Sequence, residues 1–208
     1  MVEQRISKEV FCRYCRQLYE SRLVAGVGGN LTVRSGGVIM ATPSGYSLRD
    51  LSSENVVLLD GQGKPTTGGV PTKDIEMHRG ILAGRSDVRA ICHVHGPYII
   101  ALSTLLEPGP DTLPPLTPGF VYYAHPLAMI PFLVPGSPEL ARVASEHFEN
   151  PDCRALMLQN HGLITVGKDF HEALNIAEEV DEAARIYVLT GGRAVTIPEE
   201  SLEKIKKL

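Results

Sequence analysis

Residues 88–95, VRAICHVH, form an apolar run interrupted near its end by two histidines and followed by Gly96-Pro97. The run reads as a buried strand, because it is short, rich in apolar residues and closed by a turn signal. Side chains alternate across a strand, so His93 and His95 leave the same face and can grip one ion. The plainer reading is a pair of histidines on a polar sheet face. His161 adds weight to the first reading. It ends a second apolar run, LMLQNHGLITVG, immediately before a glycine where another backbone can approach closely. Three neutral imidazoles with a position left open describe a catalytic zinc-type site, in which substrate oxygens take the vacant coordination.

The segments around this strand alternate in type. A helix is predicted from Ser7, its N-cap, to about Val24, ending in AGVGGN. LTVR (31–34), VIMATPS (38–44) and VVLLD (56–60) read as strands, followed by helices over 73–84 and 97–106. Residues 107–118 form a proline-rich loop, and strands are expected around 119–124 and 128–134. SPELARVASEHF opens as a Ser-Pro helix start, ALMLQNHG and LITVG read as strands, and 169–189 is a long amphipathic helix stopped by TGG. Strands joined by short turns with helices interspersed predict an α/β layered fold with a mostly antiparallel or mixed sheet. The 208 residues, 43% hydrophobic and 21% charged, suit one domain spanning 1–208.

Charge and patterning exclude several partner classes. The formal net charge is -4 and the basic residues form nothing larger than KIKK near the C-terminus, so no nucleic-acid footprint is present. The apolar stretches 90–106 and 112–138 contain histidines, and the second is broken by prolines, so neither is a membrane span. The N-terminus MVEQRISKEV lacks a basic start and apolar core, which makes the cytoplasm the expected location. Cys12 and Cys15 form a C-x-x-C with no second pair to complete a four-sulfur site. They recur with Phe11, Tyr14 and Leu18 at helical spacing, as half-buried residues on a helix face.

Proton chemistry at a metal needs a carboxylate. PTKDIEMHRGIL places Asp74 and His78 four apart on one helix face, with Glu76 pointing elsewhere. Asp74 also suits a helix start with no other duty. The glycine-rich turns GVGGN (26–30) and TPSG (42–45) each adjoin a strand and could cradle an anion, or simply turn the chain. His147 and His171 lie in helices among charged neighbours and read as surface residues.

Five segments in order, GGNLTVR, TPSGYSLRDLSSENVVLLD, PTKDIEMHRGIL, ICHVHGPY and LQNHGLITVG, resemble the class II aldolase/adducin superfamily over about residues 7–190. That superfamily includes fuculose-phosphate aldolase and ribulose-phosphate 4-epimerase. LPPLTPGFVYYAHPLAMIPFLVPGSPELA looks most like its 3-oxo-tetronate 4-phosphate decarboxylase branch. The resemblance implies a single-domain α/β/α fold with a central, mostly antiparallel sheet, a homotetramer, and one divalent metal per subunit held by His93, His95 and His161, commonly Zn2+ with Mn2+ or Co2+ in some relatives. Carried over by position, Gly28, Gly29, Asn30, Ser44, Gly45, Thr72 and Lys73 bind the phosphate or acid end of a small phosphorylated sugar or sugar acid. Asp74 stands where the aldolases and tetronate decarboxylases carry a glutamate that transfers protons and can ligate the resting metal. The 4-epimerases place aspartate there. Phe120, Tyr122 or Tyr123 would supply the aromatic that relatives contribute near the proline-rich loop. The implied activity is a metal-dependent carbon–carbon lyase working through a metal-stabilised enediolate. The alternatives are a 4-epimerase, an aromatic-acid decarboxylase on the same fold, and a non-catalytic adducin-like scaffold.

Overall fold

In the computed structural model, which describes residues 5–67 and 69–208, seven strands form one sheet in the order β3-β2-β1-β4-β7-β6-β5. They are β1 (Asn30–Ser35), β2 (Val38–Ala41), β3 (Val57–Leu59), β4 (Ala90–Val94), β5 (Ala128–Ile130), β6 (Ala155–Leu158) and β7 (Gly162–Gly167). All neighbouring pairs are antiparallel except β5 with β6. The 88–95 run contains β4, Ala90–Val94, which is buried along its whole length and central in the sheet, while Arg89 is exposed and His95 lies just past the strand.

Alternation along β4 assigns the two faces. Ala90, Cys92 and Val94 join a core with α1 (Lys8–Glu20), α3 (Pro97–Leu105), α4 (Pro118–Ala124) and α6 (Phe170–Thr190). Ile91 joins a second core with Met77, Ile81 and Leu82 of α2 (Ile75–Gly84) and Leu140 and Ala144 of α5 (Pro138–His147). A sheet apolar on both faces needs a helical layer on each, and the result is an α/β/α sandwich. His93, two residues from Ile91 along the strand, therefore leaves the sheet on the same α2 side.

Local chemistry sets the helix ends. Ser7 accepts from the Val10 amide, Ser137 from Leu140 and Asp169 from Glu172, each satisfying an otherwise orphaned first-turn N–H. Glycine 191, at φ 60°, closes α6 in the left-handed conformation that favours glycine. The first helix stops at Glu20, not Val24. Arg22 turns at φ 60°, and Leu23 and Val24 fold into the core beyond it.

Two other expectations are corrected. Residues 119–124 are helix α4 and not a strand. The FVYY run has strand propensity, but Thr117 caps the Phe120 amide, Pro118 occupies the first turn, and Phe120, Val121 and Ala124 are all buried. The strand expected over 128–134 ends at Ile130, ahead of Pro131, which has no N–H for the ladder. A short helix, α7 (Glu199–Ile205), carries no buried residue and so has no apolar periodicity by which it could be foreseen. Both thiols of the C-x-x-C are buried on α1 and unpaired, more deeply than half-buried. No helix among the described residues is long and apolar enough to cross a membrane.

Candidate metal centre and carboxylate

His93 is locked into β4 by ladders on both sides, opposite Asn30 of β1 and Ile164 of β7. His95 lies just past the strand, its amide donating to the Leu23 carbonyl at 2.8 Å. His161 sits in the tight β6–β7 turn beside Asn160, which adopts the left-handed φ of 55° that asparagine tolerates. Strand and turn thus bring together rings that lie 68 residues apart in the chain.

The three rings converge through Nε2. His93 Nε2 is 3.0 Å from His95 Nε2 and 3.2 Å from His161 Nε2, and all three nitrogens lie within 4.8 Å of one another. His93 Nδ1 is 3.1 Å from the Leu163 carbonyl, an acceptor, so that nitrogen carries the hydrogen and Nε2 presents its lone pair to the cluster. Burial pushes the His93 pKa well below the ordinary imidazole value, with His95 and His161 adding to the effect. Burial lowers His95 to about 4, and lowers His161 against the opposing pull of Asp74. Neutral nitrogens packed this closely suit a shared cation. Tetrahedral coordination at metal–nitrogen distances of about 2.1 Å separates ligand nitrogens by about 3.4 Å, close to the spacings here.

Glycines make room for His95. A Cβ built on Gly28 would meet His95 Nδ1 at 2.7 Å, and one on Gly162 would meet the Val94 carbonyl at 2.3 Å and His95 Cδ2 at 2.8 Å. Gly28→Ala is expected to turn the His95 ring and weaken binding of a divalent metal by the triad by about tenfold, the scale seen when a ligand's supporting contacts are lost. Chelator competition against wild type checks this.

Asp74 stands at the N-terminal boundary of α2, its carboxylate turned toward the triad instead of capping the helix. Its Oδ2 is 4.0 Å from His93 Nε2 and accepts from Asn30 Nδ2 at 2.8 Å, while Oδ1 is buried without a hydrogen-bond partner. Asp74 and His78 are buried and Glu76 is exposed, as the four-residue spacing predicts.

The remaining expected site residues have the following local positions. Gly28 and Gly29 form the turn leading to Asn30, and Gly29 (φ 75°) lies where a Cβ would strike Val24 and the His93 carbonyl. Ser44 donates its amide to the Val70 carbonyl, Thr72 to the Thr42 carbonyl, and Thr72 Oγ1 accepts from the Asp74 amide at 3.4 Å. The TPSG turn and the start of α2 are therefore stitched together. Gly45 is exposed at φ 77° and Lys73 is exposed beside Gly136. Tyr122 and Tyr123 line a cleft with His125 and Arg154, whereas Phe120 is fully buried in the core. His171 is exposed, but His147 is half-buried with an unpartnered Nε2, so it is not a surface residue. The Leu163 carbonyl was not foreseen as the group that orients His93, because a backbone oxygen leaves no mark in residue type.

The depressed histidines make stability depend on pH. His78, wholly buried, is lowered by burial to about 4, and the partly buried His95 is lowered to a similar value. An unfolded chain binds these protons near 6.5 and the folded chain does not, so stability falls as pH drops from about 6.5 toward 4. Metal-free protein should lose about 3 kcal/mol over that window from His78 alone. Urea unfolding at pH 7 and pH 4.5 tests the direction.

Known proteins share this architecture and sequence. The family described as Class II Aldolase and Adducin N-terminal domain matches residues 9–188. The 3-oxo-tetronate 4-phosphate decarboxylase of Haemophilus influenzae is 32% identical over 191 residues, covering 90% of each chain. The L-fuculose phosphate aldolase of Methanococcus maripaludis is 34% identical over 176 residues, 85% of this chain and 93% of that protein. Among solved structures, YgbL of Klebsiella pneumoniae superposes with a TM-score of 0.88 at 27% identity, over 95% of this chain and 96% of that one. With the matched segment spanning the sheet, all three histidines and Asp74, the chain belongs to the class II aldolase and adducin family.

Proposed function

We propose that the protein is a divalent-metal-dependent carbon–carbon lyase acting on a small phosphorylated keto-sugar or keto-sugar acid. The observation that carries this reading is the convergence of His93, His95 and His161 through Nε2, with the Asp74 carboxylate 4.0 Å from His93. Those three imidazoles would hold the metal, with zinc the first choice for an all-nitrogen set and Asp74 a candidate resting ligand. Bound there, a divalent ion supplies Lewis-acid stabilisation of the negative charge left when a carbon–carbon bond breaks. The names of the curated relatives, a decarboxylase and aldolases of phosphorylated sugars, support the substrate class.

The chain's own groups divide the remaining work. Asn30 holds Asp74 Oδ2, which leaves Oδ1 to take or deliver the proton that accompanies bond cleavage. Gly28, Gly29, Ser44, Gly45 and Thr72 offer backbone and hydroxyl donors for the anionic end, and Lys73 offers a charge. The working form is a homotetramer in the cytoplasm. Leu105, Phe132, Val134 and Leu189 are large apolar side chains left exposed on the single chain, and sedimentation velocity reads the assembly state.

Aspartate in place of glutamate favours a second reading, 4-epimerisation, because its shorter arm changes the reach to the reacting carbon. Purified protein loaded with zinc, and separately with manganese, is assayed with ketose 1-phosphates, 3-oxo acid 4-phosphates and pentulose 5-phosphates. Turnover of the 3-oxo acid phosphate or of a ketose 1-phosphate is expected. Turnover of the pentulose phosphate alone would replace the lyase reading by the epimerase.

A further inference from the structure

We propose that Thr32 and His78 are positioning residues, a second cross-link between β1 and α2 that fixes where the Asp74 carboxylate stands. This rests on the assignment of Asp74 as the proton carrier. The first cross-link joins Asn30 Nδ2 to Asp74 Oδ2 at 2.8 Å, and the second joins Thr32 Oγ1 to His78 Nδ1 at the same distance. Two residues along a strand advance about 6.7 Å. Four residues along a helix advance about 6 Å. The near match lets Asn30 and Thr32, on one face of β1, meet Asp74 and His78, on one face of α2, at the same time. One cross-link alone would leave the first turn of α2 free to pivot about Asp74. Two hold it in both position and rotation.

The cluster is expensive unless it does such a job. Thr32 faces Ala41 and Ile91 across its two ladders, and His78 is wholly buried one residue from Met77 in the apolar core of that face. Apolar residues would fill this volume without the desolvation cost. With the Thr32 hydroxyl donating to Nδ1, the His78 ring carries its hydrogen on Nε2, which is buried and without a hydrogen-bond partner. Asp74 Oδ1 and Asn30 Oδ1 are likewise buried acceptors without one. Three of the four residues in the two cross-links thus each carry a buried polar atom without a partner, and the aspartate among them has a short side chain that leaves little slack to correct a shifted backbone.

The test uses full-length, zinc-loaded protein in wild type, Thr32→Val and Thr32→Ser forms, each also made with Asp74→Asn. Valine keeps the shape of threonine and removes the hydroxyl; serine keeps the hydroxyl. Thr32→Val should lower kcat about tenfold with KM changed less than twofold, and Thr32→Ser should restore it. In the Asp74→Asn background the valine substitution should cost nothing further, because residues acting through one group are not additive. Amide hydrogen exchange of residues 75–78 supplies a readout independent of turnover, expected to be at least tenfold faster in Thr32→Val and near wild type in Thr32→Ser. Unchanged exchange, or an undiminished kcat loss without the Asp74 carboxylate, overturns the proposal. A wild type inactive on every substrate would instead overturn the lyase assignment, with the exchange measurement still deciding the cross-link.

Discussion

His93→Ala is expected to bind no zinc at stoichiometric concentrations and to turn over at least about a thousandfold more slowly than wild type. The ring removed is the hub of the cluster, 3.0 Å from one partner nitrogen and 3.2 Å from the other. Its loss leaves two histidines, which cannot supply the three-point set that a catalytic zinc site requires. A residue in the middle of the sheet also packs, so a folding defect must be separated from loss of the ion. His161→Ala makes that separation, because His161 lies in the β6–β7 turn, where truncation opens no hole beneath a central strand. Both variants should retain the wild-type circular dichroism spectrum while elemental analysis finds less than a tenth of an ion per chain, against about one in wild type. A variant that keeps its metal and its rate would end the case for this centre.

Asp74→Asn should behave differently, holding its metal to within about tenfold while kcat falls by about 10²–10⁴, the range contributed by a positioned acid–base group. Asparagine keeps an oxygen that can accept from Asn30 and loses the ability to carry a proton. Effects of the two substitutions therefore part on metal content, and elemental analysis alongside kcat distinguishes a ligand from a proton carrier. Should Asp74→Asn lose the ion as completely as His93→Ala, Asp74 would be an essential ligand and the proton would need another carrier. A kcat near wild type would remove Asp74 from the chemistry.

Much of this site could be seen in the chain before its shape was known. The H-x-H of residues 93 and 95 needs only the two-residue repeat of a strand to place both rings on one face, and the four-residue step from Asp74 to His78 needs only a helical turn. His161 was legible from its place at the end of an apolar run before a glycine. The contacts between segments were not. That Asn30 holds Asp74, that Thr32 meets His78, and that Gly28 is small because His95 passes within 2.7 Å of its missing Cβ all follow from strand order and register, which local pattern does not encode. The misread 119–124 segment failed for a related reason. Its aromatic and β-branched residues favour extended backbone, and burial against α6 together with the Thr117-Pro118 cap outweighed that preference.

The sheet order places β4 as the seam between an N-terminal trio of strands and a C-terminal trio. His93 and His95 belong to the seam, Asp74 precedes it, and His161 arrives only with the last hairpin, whose closing strand is Gly162–Gly167. During synthesis, then, a chain still lacking that hairpin has two of the three histidines in place and not the third. If the centre holds a divalent ion as proposed, tight capture would come only when both halves have zipped together, so that uptake of the ion would report the completion of folding.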